Sequence, residues 1–132
     1  MTYAQQKGIA SYGRMAHSDT DPVRQIVMLY DGAIRFLNLT AADIDAGDLM
    51  GKAEHSSRAL DIIGYLQATL DFEKGGVVAV RLDQFYRQLI AIVLRGSARQ
   101  DADAMRNAAK LIEPVRNAWQ VNAKPVITLN AA

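Results

Sequence analysis

The stretch Ile26-Val27-Met28-Leu29-Tyr30-Asp31-Gly32-Ala33-Ile34-Arg35-Phe36-Leu37 decides the fold. Read at helical spacing, Ile26, Leu29/Tyr30, Ala33, Leu37, Ala41 and Ile44 form one apolar stripe, widened by Val23, Val27 and Ile34. A stripe that wide belongs to a helix touching several partners at once, the central helix of a small bundle. Gly32 and Ala33 are its smallest residues and would let a neighbouring helix approach closely, which offsets the helix cost of glycine, about 1 kcal/mol.

Outward from this stretch, Asp21 reads as an N-cap with Pro22 at the first helical position, where a missing N–H costs nothing. The helix is expected from Pro22 to Ala46, with Gly47 as its stop. Asp48 offers the next cap, for a second helix from Leu49 to Leu70 that buries Ala53, Ser57, Leu60, Ile63/Gly64 and Leu70, with Ile62, Tyr65 and Leu66 widening the face. Residues 71–76, Asp-Phe-Glu-Lys-Gly-Gly, read as a turn by composition.

A third helix then carries Val78, Leu82, Phe85/Tyr86, Leu89 and Ile92/Val93. The β-branched residues from Val77 to Val80 favour a strand, but the helical period that continues for two more turns outvotes them. Gly96-Ser97 and Arg99-Gln100 close this helix. Asp101 caps a fourth, with Ala104/Met105, Ala108, Leu111/Ile112, Val115 and Ala118/Trp119 on its stripe. Pro114 is expected to kink it, because proline removes a donor and clashes one turn back.

The expected architecture is all-α: an antiparallel up-and-down four-helix bundle over residues 21–122 with a short N-terminal helical segment. Residues 1–20 form a flap and linker in which Ile9, Tyr12 and Met15 share a face weakened by Gly8 and Gly13. Residues 123–132 form a flexible tail.

Composition narrows the function. The chain has 132 residues, half of them hydrophobic, and a formal charge of +1, so neither disorder nor bulk attraction to nucleic acid is indicated. It has no cysteine, hence no thiol chemistry. Charges interrupt every apolar run short of a membrane span and no signal-peptide pattern opens the chain, so a cytoplasmic protein without direct membrane insertion is expected.

No catalytic constellation emerges. His55 has no carboxylate or second histidine at i+3 or i+4, His17 has only Asp21 at i+4, and the Glu-x-x-His spacing of di-iron bundles is absent, so neither metal nor other cofactor is expected. Asp43/Asp45 and Asp101/Asp103 sit two apart, on different helix faces near helix ends. Gly75-Gly76 lacks the Lys-Ser/Thr of a phosphate loop. His55, on an amphipathic helix, has an alternative reading as a phosphoryl-accepting histidine of a phosphotransfer bundle. An ordinary, partly packed histidine is favoured over it, and Ser56-Ser57-Arg58 poorly matches the Lys-Gly-containing stretch of that class.

What remains is surplus apolar surface, spread over Tyr3, Tyr12, Tyr30, Tyr65, Phe72, Phe85, Tyr86 and Trp119. Wide stripes on a bundle can form a groove for another amphipathic helix, although pattern alone favours ordinary core for these side chains.

Several blocks, in order and suitably spaced, carry a resemblance. They are Asp21-Pro22, Met28-Leu29-Tyr30-Asp31-Gly32-Ala33, Leu70-Asp71-Phe72-Glu73-Lys74-Gly75-Gly76, Phe85-Tyr86 and Ala118-Trp119, with Gly8-Ile9-Ala10-Ser11-Tyr12 upstream. Together they resemble the FliS family of flagellar export chaperones over about residues 8 to 120. Pro114 and Val23-Arg24 depart from the family pattern.

The resemblance implies a non-enzymatic cytoplasmic four-helix bundle that binds the C-terminal disordered region of flagellin. It implies that this binding prevents premature polymerisation, and that flagellin is delivered to a component of the flagellar type III export gate. Other flagellar regulators are possible partners. It also implies an N-terminal segment that folds over the groove and moves aside. On this reading the groove and flap comprise Ile9, Tyr12, Leu29, Tyr30, Ile62, Leu66, Phe85, Tyr86 and Trp119.

Overall fold

The computed structural model describes residues 21–121. Four helices follow one another: α1 (Pro22–Ala46), α2 (Leu49–Ala68), α3 (Phe72–Ala98) and α4 (Ala102–Val121). No strand is present among the described residues. Each helix opens on an aspartate whose carboxylate accepts a backbone N–H of the first turn. Asp21 accepts from Val23 at 3.0 Å, Asp48 from Gly51 at 2.9 Å, Asp71 from Lys74 at 2.9 Å and Asp101 from Ala104 at 3.0 Å. An ionised cap at each N-terminus meets an orphan donor and complements the helix dipole.

α1 has the bounds expected from its sequence, and Gly47 stops it in the left-handed conformation, φ +70°. The connections hold two or three residues, which makes successive helices antiparallel neighbours. α1 packs closely along α2 and α4, while α3 closes the square opposite α1 and touches α2 and α4 more sparingly. The core is one cluster around Ile26, Leu29, Tyr30, Leu37, Ile62, Ile63, Leu66, Tyr86, Leu89, Met105 and Ile112.

Four expectations need correction. α2 ends at Ala68, and its buried residues are Ser56, Ala59, Asp61, Ile62, Ile63 and Leu66. Ala53 is exposed and Ser57 and Leu60 are half-buried, because the first half of α2 has only small side chains that do not fix its phase. The expected turn over residues 71–76 begins as helix: Phe72 opens one turn of α3, capped by Asp71. Gly76 then breaks it at φ +52°, ψ −127°, a conformation reserved for glycine.

Gly96 does not close α3 but lies inside it, buried, where an added Cβ would stand 3.0 Å from the Ala104 Cβ and 3.1 Å from the Met105 Cε. Val78, Leu111 and Ala118, assigned to core stripes, are exposed, the first two at 53% and 44%. α4 itself runs through Pro114 to Val121. Lys110 and Pro114 are both exposed, so the missing hydrogen bond falls on the solvent side of the helix.

Candidate functional site

Six of the expected groove residues are core. Leu29, Tyr30, Ile62, Leu66, Tyr86 and Trp119 are all buried, and Phe85 is half-buried; Ile9 and Tyr12, like His17, lie outside the described residues. Burial takes those six out of reach of a partner in this state, but the structure brings three of them together. The Tyr30 and Tyr86 hydroxyls share a 2.5 Å hydrogen bond that either can donate, and the Trp119 Nε1–H donates to the Tyr30 oxygen at 3.0 Å.

This cluster joins α1, α3 and α4 through the middle of the bundle and leaves none of the three polar groups orphaned. Burial pushes the Tyr30 hydroxyl up to about 12, against the two hydrogen bonds from Tyr86 and Trp119 that pull it down. Tyr86 is raised further, by burial first and then by the neighbouring Tyr30. Both are therefore neutral hydrogen-bonding groups and not acid–base groups near neutral pH.

The seams around the bundle differ in their chemistry. α1 and α4 are strapped outside the core by Arg116 on Asp31, at 2.5 and 3.2 Å, and by Arg106, which binds Asp45 across the seam and Asp103 on its own helix. α2 and α3 are tied by Lys52 Nζ donating to the Ser97 carbonyl at 3.0 Å and by Gln67 donating to Asp83 at 2.9 Å. The Gln67 and Arg87 hydrogen bonds hold the Asp83 carboxyl below the usual carboxylate range. No side-chain hydrogen bond or ion pair joins α3 directly to α4 among the described residues.

That polar-free seam is lined by two apolar rows. On α3 the row is Val78, Leu82, Phe85, Leu89, Ile92 and Gly96; on α4 it is Ala104, Ala108, Leu111, Val115 and Ala118. Each advances by three or four residues, so each lies along one side of its helix. The contact of Gly96 with Ala104 and Met105 fixes these sides as the ones that face each other. Leu89 and Ala108 are buried beneath the seam. Leu82, Phe85, Ile92, Ala104 and Val115 are half-buried, and Val78, Leu111 and Ala118 are exposed. The result is an apolar groove with a partly open lip, on the side of the bundle where packing is sparsest.

Of the expected site, only Phe85 lies on this lip. The sequence did carry a signal for the others, since stripes wider than two neighbouring helices can cover must leave a margin in water. The exposed part of the margin consists of Val78, Leu111 and Ala118, with Phe85 as its one aromatic residue.

His55 is a packed side chain. Its Nδ1 meets the Asp43 carboxylate at 2.5 Å and its ring stacks on Phe36 with centroids 6.0 Å apart. The Arg58 guanidinium lies 5.7 Å from the centre of the same Phe36 ring. Nothing in this arrangement favours phosphoryl transfer. Asp43, Asp45, Asp101 and Asp103 serve ion pairs and a cap. No group of three or more potential metal ligands occurs among the described residues, and no helix there is long and apolar enough to cross a membrane.

Comparison with known proteins gives the family of the chain. A family model described as flagellar protein FliS matches residues 4–125. The chain belongs to the FliS family. It is 34% identical over 118 residues to the flagellar secretion chaperone FliS of Salmonella typhimurium, covering 86% of this chain and 87% of that one. It is 30% identical over 102 residues to the protein of the same description from Vibrio cholerae, covering 77% and 75% of the two chains. It is 25% identical over 117 residues to that of Bacillus subtilis, covering 87% and 85%. The family is thus matched over nearly the whole of this FliS chain, its bundle included.

Proposed function

We propose that this FliS-family chain is a cytoplasmic secretion chaperone without enzymatic activity. It binds the C-terminal disordered region of flagellin, prevents premature polymerisation and supports delivery to the flagellar type III export apparatus. The observation that carries this reading is the α3/α4 seam: an apolar groove without a polar tie across it, in a chain of this family.

A segment that hides apolar helical faces in such a groove is protected without chemistry or nucleotide. Covering several large side chains at about 25 cal/mol per Å² supplies several kcal/mol, of which ordering the segment consumes roughly 2–5 kcal/mol. The remainder is reversible, as hand-over to an export gate requires. Residues 1–20 are proposed to act as a flap that competes for the groove through Ile9 and Tyr12.

The test is calorimetric titration with a peptide of the cognate flagellin's C-terminal region, at two temperatures, alongside circular dichroism. One-to-one binding, a negative heat-capacity change and a gain of helix are expected. Val78→Asp and Leu111→Asp, both at exposed positions, should weaken binding about tenfold or more by placing a charge against the docked apolar face, with the melting temperature held. Heats equal to dilution at both temperatures would sink the reading.

A further inference from the structure

The exposed apolar surface of the bundle is concentrated in one place. Phe72, Val77, Val78 and Val80, all in the first turns of α3, make up half of the exposed large apolar side chains among the described residues. α3 and α4 are antiparallel, with Gly96 against Ala104. At about 1.5 Å per residue, Ala118 therefore stands level with Leu82, and Val121, where α4 ends, with Ala79. The chain leaves α4 directly beside this patch. Residues 1–20, by contrast, lead into α1, which stands diagonally across the square from α3.

The chain that leaves there suits the patch. Residues 122–132 read Asn-Ala-Lys-Pro-Val-Ile-Thr-Leu-Asn-Ala-Ala, with Lys124 as the only charged side chain. Pro125 opposes further helix, because it has no N–H for the Val121 carbonyl and disfavours helical backbone at Lys124. Val126, Ile127 and Thr128 are β-branched and favour extended backbone, on which Ile127 and Leu129 project to the same side. Fully extended, the chain from Val121 to Ile127 reaches about 20 Å, whereas packed helix axes stand about 10 Å apart.

We propose that residues 122–132 strap the foot of the α3/α4 seam, with Ile127 and Leu129 packed on Phe72, Val77 and Val78. That seam has no polar tie, and the strap supplies from within the chain the connection that α3 lacks. Attachment at Val121 holds the tail at a high effective concentration, so a contact too small to recruit a separate molecule suffices. Val78 belongs both to this patch and to the lip of the groove, so the foot of the groove is free only while the strap is lifted. The strap belongs to the free chain and holds whichever partner the groove receives.

The chain has no cysteine, so one engineered pair reads the contact: Lys74→Cys/Asn130→Cys, polar positions beside the patch and beside the apolar run of the tail. Mild oxidation of dilute protein should close an intramolecular disulfide. Adding Ile127→Asp, which keeps the tether and removes a docking side chain, should slow closure about fivefold or more. Deleting residues 123–132 should raise the fluorescence of an apolar dye about twofold with the helical circular dichroism held, as apolar surface is uncovered. Ile127→Asp/Leu129→Asp in the full chain should reproduce that rise, and deletion in a Val77→Ser/Val78→Ser background should not. Equal closure rates with and without Ile127→Asp would show a tail held only by its tether and would overturn the strap. Disulfide-linked dimers in place of the closed monomer would overturn it too, giving the patch to a second copy. So would dye binding that deletion leaves unchanged or raises equally in the serine background.

Discussion

Tyr30, Tyr86 and Trp119 show how much depends on which atom is removed. Tyr30 is the hub, because its oxygen meets both other partners. Tyr30→Phe should cost about 1–3 kcal/mol, since it leaves a buried hydroxyl and a buried indole N–H unpaired; Tyr86→Phe, which leaves Trp119 its acceptor, should cost less. The same burial fixes a dependence on pH. The folded Tyr30 titrates near 12 against 10 when unfolded, so the unfolded chain loses its proton first as pH rises. Stability from this group is full below pH 10 and is lost between about 10 and 12. Chemical denaturation at pH 9 and pH 11.5 should show a fall in wild type that is smaller in Tyr86→Phe and smallest in the double variant lacking both hydroxyls.

At the scale of the element, the four helices differ in how far their residues announce them. α1 was legible to its last residue because Asp21-Pro22 and Gly47 dictate its ends and large apolar residues fix its phase. α2 was legible in its start but not in its last two residues or its face, since Ala53, Ser56, Ser57 and Ala59 are too alike in size for sequence to choose among them. α3 hid its first turn because a glycine pair ordinarily signals a loop, yet Gly76 only breaks the helix that Asp71 has begun. The exposed apolar margin was hidden for a related reason. Aromatic residues suggest contact surface, but Tyr30, Tyr86 and Trp119 satisfy one another in the core, and mostly smaller aliphatic side chains are left at the α3/α4 margin.

Gly96, which reads as a terminator, is a spacer: Gly96→Ala gains helix propensity of about 1 kcal/mol but forces apart α3 and α4 at Ala104, where overpacking costs about 1–3 kcal/mol. A net loss of stability of about 1 kcal/mol is expected in urea titration, and a gain would show that the helices separate without cost.

For the whole molecule, the asymmetry of the bundle matters most. α2 and α4 are each bound to α1 by close packing, with ion pairs across α1/α4, and α3 closes the square with one purely apolar seam. If residues 1–20 compete for that seam, the competition is intramolecular, and flagellin binds only the open fraction. Deleting residues 1–17 should then tighten flagellin binding and increase aggregation of the free chain, while Tyr12→Ala should tighten it without loss of solubility. Unchanged affinity and solubility in both would show the segment to be passive.

Trp119 is the only tryptophan in the chain, and it lies in the core at the foot of the groove with its indole nitrogen held by Tyr30. The protein thereby carries its own optical gauge of how a guest is received. A segment that settles on the lip leaves the indole in its dry, hydrogen-bonded setting, and the emission stays where it was. A segment that wedges α3 away from α4 uncovers the indole from the α3 side and wets the ring, and the emission moves to the red. Light from one native side chain separates a lodger on the doorstep from one that has moved the wall.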